Sequence, residues 1–147
     1  MRLQKNTSLA LFSVLEFASD PERQISAAEI AAKHSVSPHH LAKVLAVLAR
    51  AGVVSSVRGV GGGYRFASNV RRLTLLDIIQ LFESDAPRST GAASTPVECA
   101  LDTVLGEIDD HAKATFGSIT LATMLQLIER QRSTAAATPQ QVLRHSA

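Results

Sequence analysis

The sequence predicts a mainly α-helical fold that is interrupted by one β-hairpin. Aromatic residues make up 4% of the 147 residues and Trp is absent, so the core must consist of Leu, Val, Ile and Ala. That composition favours packed helices over a β-sandwich. Apolar residues recur at helical spacing except near residues 53–67, where two β-prone runs flank a glycine cluster. The length supports one ordinary core and is too short for two full domains.

The first predicted helix covers residues 8–18, and its apolar side carries Leu9, Phe12, Leu15 and Phe17. These side chains should be buried. A second, short helix should begin at Ser26, because Glu29 three residues later completes a capping box.

The third predicted helix begins after Ser37, which has the composition of an N-cap and is followed by proline at the first helical position. Its apolar face is formed by Leu41, Val44, Leu45 and Leu48, whereas His39, His40, Lys43 and Arg50 lie off that face. Gly52 should end this helix as a C-terminal cap. The hairpin then follows, with "RGVGGG" as its tip.

The C-terminal half begins with a capping box formed by Thr74 and Asp77, which starts a further apolar helix. Residues 85–96 are small, polar and without periodicity, so they predict a flexible linker. Thr95, Pro96 and Glu98 then signal the start of a helix about 30 Å long, with Thr120 capping a last helix behind it. The tail, residues 133–147, should be mobile.

The charge is unevenly divided along the chain. Residues 1–80 carry a net charge of +5 and residues 81–147 carry −3, which together make the overall +2. The N-terminal half is therefore where a polyanion such as DNA would bind. No apolar run is long enough to cross a bilayer, so no membrane partner is expected. A single cysteine excludes an internal disulfide and favours a cytoplasmic location.

The order of helices followed by a hairpin is typical of a winged helix-turn-helix domain, whose second motif helix enters the major groove of DNA. In this domain the hairpin is the wing, and the glycines at its tip permit positive φ and a backbone without side chains. A plain hairpin turn is the alternative, and a nucleotide-phosphate loop is disfavoured because Tyr64 occupies the last glycine position of the required motif. The predicted DNA-binding residues are Ser37, His39, His40, Lys43, Arg58, Gly59, Gly61, Gly62 and Arg65.

A dimer interface is predicted on the long helix. Its apolar stripe consists of Val97, Leu101, Val104, Leu105, Ile108 and Ala112. The stripe lies beyond the predicted winged helix-turn-helix domain, residues 1–84, which already has a core, so a partner subunit is expected to cover it. The long helix and the last helix together form the predicted dimerisation region, residues 97–132.

Three stretches of the chain resemble one family of bacterial transcription regulators. "MRL", "ISAAEIAAKHSVSPHHLAKVLAVLARAGVVSSVRGVGGGYRFA" and "LTLLDIIQLFE" are similar to the Rrf-two (Rrf2) family, as is "CALDTVLGEIDDHAKATFGSITLATMLQLI". The resemblance covers roughly residues 1–130. It implies a fold that is mainly α, with a winged helix-turn-helix domain, a two-stranded β-wing and a long C-terminal dimerisation helix. It also implies a homodimer that binds a pseudo-palindromic operator, and repression is the expected mode of regulation.

The chain departs from the cluster-binding members of that family, which carry three cysteines before and at the start of the long helix. Only the third is present, as Cys99. One thiolate per subunit is too few for an iron–sulfur cluster, so no cofactor and no metal site are predicted. Cys99 is either a redox-sensitive thiol at a helix start or an inert small residue.

Enzymes and protein-binding adaptors have sequence requirements of their own. An enzyme would need an activated nucleophile, an acid–base pair or a metal set, and no spacing in the sequence suggests one. A winged-helix adaptor that binds proteins rather than DNA is the remaining alternative. Salt dependence separates the two binding functions, since phosphate contacts weaken steeply as salt rises.

Overall fold

The computed structural model describes residues 3–83 and 95–137. In these two ranges the chain forms six helices and a two-stranded antiparallel sheet, as the sequence predicts. The elements are α1 (Lys5–Ser19), α2 (Ala27–Lys33), α3 (Pro38–Arg50), β1 (Val54–Val57), β2 (Gly63–Phe66), α4 (Leu75–Gln80), α5 (Pro96–Ser118) and α6 (Leu121–Ala137). No helix of the described ranges is both long and apolar enough to cross a membrane.

Side-chain caps define the starts of most helices. The Thr74 hydroxyl accepts a hydrogen bond from the Asp77 amide, and the Asp77 carboxylate accepts one from the Thr74 amide, so this predicted capping box is complete. Thr95 and Glu98 form the same reciprocal pair at the start of α5. The Thr95 amide, and then its hydroxyl, hold the pKa of the Glu98 carboxyl below its ordinary value.

The capping box predicted at α2 is only half formed. The Ser26 hydroxyl accepts a hydrogen bond from the Glu29 amide at 3.1 Å. The Glu29 carboxylate does not return to Ser26 but pairs with the guanidinium of Arg23. In a complete capping box the Glu29 carboxylate would accept a hydrogen bond from the Ser26 amide. Here Arg23 binds that carboxylate instead.

One continuous core holds the N-terminal helices and the root of the hairpin. Fully buried side chains include Phe17 from α1, Ile30 from α2 and Ile78 from α4, and α3 contributes the apolar face that its sequence predicts. Val54 and Phe66 are paired across the two strands and are both buried. The hairpin is thus attached to the core at its base.

Helix α6 belongs to this same core, although the sequence places it with the dimerisation region of residues 97–132. Leu121 is completely buried in the core cluster, and the Leu121 amide donates to the Leu73 carbonyl at 2.9 Å. Thr74 and Thr120 also form an isolated β-bridge. The chain therefore leaves the core through α5 and returns to it through α6.

Two boundaries differ from those predicted. Helix α6 extends to Ala137, so the first five residues of the tail that was predicted to be mobile are helical. The remainder of that tail, residues 138–147, lies outside the described residues. Most of the predicted linker lies outside them too, and its last residue, Pro96, is the first residue of α5.

The burial of α1 also differs from the prediction, most strongly at Phe12. Leu9 and Phe17 are buried and Leu15 is half-buried, but Phe12 is 53% exposed. Its ring stacks on the imidazole of His34, with ring centroids 5.4 Å apart and planes 8° from parallel. Helical periodicity places Phe12 at the edge of the apolar side, and no element of the described chain covers that edge apart from the turn before α3.

Candidate nucleic-acid interface

Helices α2 and α3 form a helix-turn-helix unit joined by residues 34–37. The turn is closed by the Val36 amide, which donates to the Ala31 carbonyl at 3.0 Å, and it requires a positive φ of 53° at Ser35. The Ser37 hydroxyl accepts a hydrogen bond from the His40 amide at 3.2 Å, and Pro38 takes the first helical position. The sequence prediction of the α3 start is confirmed in both parts.

The C-terminal end of α3 is as sharply defined. Gly52 has a φ of 73°, and its amide donates to the Ala49 carbonyl at 3.0 Å. The Val53 amide donates to the Leu48 carbonyl at 3.0 Å, which completes a Schellman motif. The chain therefore turns directly from α3 into β1, and this short connection couples the helix to the hairpin.

The exposed face of α3 carries basic and small residues. His39, Lys43, Ala46 and Arg50 are spaced by four, three and four residues, so they share one face. All four are exposed, and the apolar face opposite them is buried. Arg50 was not among the predicted DNA-binding residues, although its helical spacing from Lys43 places it on this face.

His40 lies apart from that face. It is half-buried and, together with Ser37, lines a cavity that also contacts α1. The two neighbouring histidines therefore occupy different environments, as expected for successive positions of a helix.

The wing has an anchored root and an exposed tip. Ile25, in the loop between α1 and α2, exchanges two backbone hydrogen bonds with Tyr64 on β2, at 2.9 and 2.8 Å. The Gln24 side-chain amide donates to the Gly61 carbonyl at the tip. Beyond this support Arg58, Gly59 and Val60 are exposed to solvent, and Arg65 on β2 is exposed as well.

The four wing glycines have two different roles. Gly59 and Gly61 have φ values of 117° and 76°, so they supply the positive φ that the sequence predicts for the tip. At Gly62 and Gly63 the constraint is space. A Cβ on Gly63 would lie 2.5 Å from the Ile25 carbonyl oxygen, and one on Gly62 would lie 2.9 Å from two backbone oxygens. Gly63 belongs to the predicted "RGVGGG" tip but is not among the predicted DNA-binding residues, and only the fold brings Ile25 against it.

The cations on the exposed face of α3 and on the wing are not neutralised by acids of the described chain. Within the described ranges Arg23 pairs with Glu29 and Lys33 pairs with Glu16. Over the same ranges Lys43, Arg58 and Arg65 form no ion pair and remain exposed. Exposed, unpaired cations on a helix and a hairpin are the groups that meet DNA phosphates.

The predicted dimer stripe lies on the exposed side of α5. Val97, Leu101, Val104, Leu105 and Ile108 are 69%, 57%, 54%, 58% and 58% exposed, and Ala112 is half-buried. Gly106, on the opposite side of the helix, is buried. Gly106 therefore faces the rest of the chain, whereas the large apolar residues of α5 face outward.

Cys99 lies in the first turn of α5 and is exposed. In residues 3–83 and 95–137 no group of three or more His, Cys, Asp or Glu side chains is arranged to hold a metal ion. With one cysteine in the whole sequence, the residues of this chain do not fit a cysteine-ligated cluster.

The fold is that of a DNA-binding protein of the winged helix-turn-helix class, with basic residues on α3 and on the wing. Residues 3–127 match the Rrf2 family, which is described as iron-dependent transcriptional regulators. The chain belongs to the Rrf2 family. It is a DNA-binding transcriptional regulator and not an enzyme.

Similar proteins agree with this assignment over most of their length. The HTH-type transcriptional regulator BadM of Rhodopseudomonas palustris is 50% identical, over 90% of this chain and 86% of its own. NsrR of Geobacillus kaustophilus is 30% identical, over 86% and 90%. Among solved structures, T. potens IscR has a TM-score of 0.74 at 27% identity, covering 89% of this chain and 90% of its own. CymR of B. subtilis, titled the global cysteine regulator, has a TM-score of 0.70 at 27% identity, covering 86% and 98%.

Proposed function

We propose that the protein is a homodimeric, sequence-specific repressor that acts in the cytoplasm on a pseudo-palindromic operator. Helix α3 enters the major groove, with His39 and Lys43 directed to bases and phosphates and Ser37 and His40 at its N-terminal edge. The wing places Arg58 and Arg65 against the backbone or the minor groove, where a narrow groove attracts arginine. The observation that carries this proposal is the set of exposed cations on α3 and the wing that have no acidic partner in the described chain.

Dimerisation through α5 supplies the second half of the binding surface. The exposed apolar stripe is supported as the contact because large apolar side chains in a continuous row mark interaction sites on otherwise polar surfaces. Two copies related by a two-fold axis present two α3 helices, which read an operator of matching symmetry. A dimer bound across a promoter blocks transcription by occupying the duplex, and this is the basis for proposing repression.

The proposed regulator works without an iron–sulfur cluster, since the ligand set is missing from this chain. Cys99 is the candidate redox residue because its thiol is exposed at the start of the dimerisation helix. Oxidation there, by disulfide formation between subunits, would act directly on the arrangement of the two α5 helices.

Selection of bound sequences from a random DNA pool tests the proposal, with reduced and oxidised protein in parallel. We expect an inverted repeat whose half-sites are centred about 34–36 Å apart or a multiple of that distance. A pool that remains random would contradict sequence-specific binding.

A Cys99→Ser variant tests the proposed redox response. If the variant responds to oxidant as the unchanged protein does, Cys99 has no part in the mechanism.

A further inference from the structure

A cavity of about 770 Å³ opens between α1 and the turn that precedes α3. Its volume lies within the range of pockets that hold small organic molecules. One wall is apolar and includes Leu3, Leu9 and Val36, and the stacked rings of Phe12 and His34 form another. None of these side chains belongs to the DNA-contacting face or to the α5 stripe.

The polar groups of the cavity are few and distinct. The Lys5 ammonium is exposed at its edge and has no ion-pair partner within residues 3–83 and 95–137. The Ser8 hydroxyl and the His40 ring also line it.

We propose that this cavity binds a small organic anion with an apolar body, and that the bound anion weakens operator binding. The apolar walls hold the body of the ligand by burial. The anionic group lies toward Lys5 and accepts hydrogen bonds from the polar groups at the edge. The Lys5 ammonium at the edge favours an anion over a neutral molecule of the same shape.

The position of the cavity connects ligand binding to DNA binding. Ser37 and His40 line the cavity and also form the N-terminal turn of α3, where the Ser37 hydroxyl caps the helix. A ligand seated there contacts the end of the helix that approaches the DNA. The ligand therefore binds the DNA-bound and DNA-free forms of the protein with different affinities. Since the coupling is reciprocal, operator DNA must weaken ligand binding by the same factor. This regulatory step depends on the proposed function, whereas the binding site itself does not.

A pair of fluorescent probes tests the site without any DNA. The first is 1-anilinonaphthalene-8-sulfonate, an aromatic anion, and the second is N-phenyl-1-naphthylamine, which has the same ring system without the charge. Ser8→Phe places a ring in the cavity and should abolish the saturable binding of both probes. Asn6→Phe adds the same ring on α1 at an exposed position that does not line the cavity, and it should leave both affinities unchanged.

Charge selectivity is tested on the same two probes with Lys5→Gln. We expect the Kd of the sulfonate to rise roughly three-fold, as for the loss of an exposed ionic contact, and the Kd of the neutral probe to stay constant. Circular dichroism shows whether each variant is folded. A folded Ser8→Phe protein that binds the sulfonate as the unchanged protein does would overturn the cavity proposal. An equal effect of Lys5→Gln on both probes would overturn the assignment to anions.

Coupling to DNA is measured separately, by fluorescence anisotropy of a labelled operator at saturating sulfonate probe. Operator affinity should fall for the unchanged protein and stay constant for Ser8→Phe. Equal operator affinity with and without the probe would overturn the regulatory step. Absence of operator binding by the unliganded protein would instead contradict the proposed function, and the probe titrations would still decide the existence of the site.

Discussion

Arg58 is the residue whose role in DNA binding is most directly testable. It follows β1, is exposed at the wing and has no acidic partner in the described chain. Replacing Arg58 with Ala should weaken operator binding by about 1–3 kcal/mol, the range of arginine contacts in DNA grooves. A gel-shift titration measures the change.

The matched control is Arg132→Ala on α6, where the arginine is close to Glu129 and distant in sequence from the wing. This variant should bind the operator as the unchanged protein does. If both substitutions leave the affinity unchanged, the wing does not contact DNA.

Gly63 tests how the wing is anchored. An alanine Cβ there would meet the Ile25 carbonyl oxygen at 2.5 Å, and backbone cannot move aside as a flexible side chain does. Gly63→Ala should lower the free energy of unfolding by about 1–3 kcal/mol, as overpacking does elsewhere. Urea denaturation measures the loss.

Ser56→Ala is the control for Gly63→Ala, since Ser56 is exposed on the neighbouring strand and pairs with Tyr64. Its effect on the free energy of unfolding should stay within about 0.5 kcal/mol. Equal stabilities of the two variants would show that the Ile25–Tyr64 bridge does not constrain the wing.

The start of α5 responds to pH through Glu98. Its folded-state pKa is lowered from the ordinary value of 4.5, first by the Thr95 amide and then by the Thr95 hydroxyl. A lowered folded pKa means that the carboxylate stabilises the helix start above pH 4.5 and that this contribution is lost as the pH falls through the folded value.

We expect the exchange protection factor of the Thr95 amide, measured by NMR, to fall as the pH is lowered below 4.5. In a Glu98→Gln variant the side chain keeps an acceptor oxygen but does not titrate, so its protection should not follow this pH dependence. Identical pH profiles in the two proteins would contradict the role of Glu98 as the capping carboxylate.

At the scale of elements, local sequence signals predicted where helices begin better than what covers them. The caps at Ser37, Thr74 and Thr95 are all present, because a cap depends on residues three apart. Phe12 shows the limit of periodicity, since burial depends on whether a neighbouring element reaches that edge of the helix. The partner of Glu29 was likewise decided by a residue outside the capping pattern.

At the scale of the whole molecule, Ile108→Arg tests the dimer. A charge in the middle of the exposed apolar stripe is costly to bury in an interface. We expect light scattering to show a dimer for the unchanged protein and a monomer for the variant, with operator affinity reduced by about ten-fold or more because the second half-site is no longer held.

Thr103→Arg provides the control, because Thr103 is exposed on α5 but lies on another side of the helix from the stripe. It should remain dimeric. If Ile108→Arg also remains dimeric, the interface lies elsewhere on the molecule.

The proposed lack of an iron–sulfur cluster has a visible consequence. Protein purified without exposure to oxygen should be colourless, because a single cysteine per chain does not supply the thiolates that hold iron. An absorption spectrum with the charge-transfer bands of an iron–sulfur protein would contradict this expectation.

The sequence by itself determined the order of helices and hairpin, the caps, and the basic and apolar faces of α3. These features depend on residues close together in the chain, and their spacing can be read directly. Only the tertiary structure decided that α6 joins the core through Leu121, that Gly63 lies against Ile25, and that an open cavity lies between α1 and the turn before α3. These three depend on contacts between segments distant in sequence, and such contacts are set by packing rather than by local pattern.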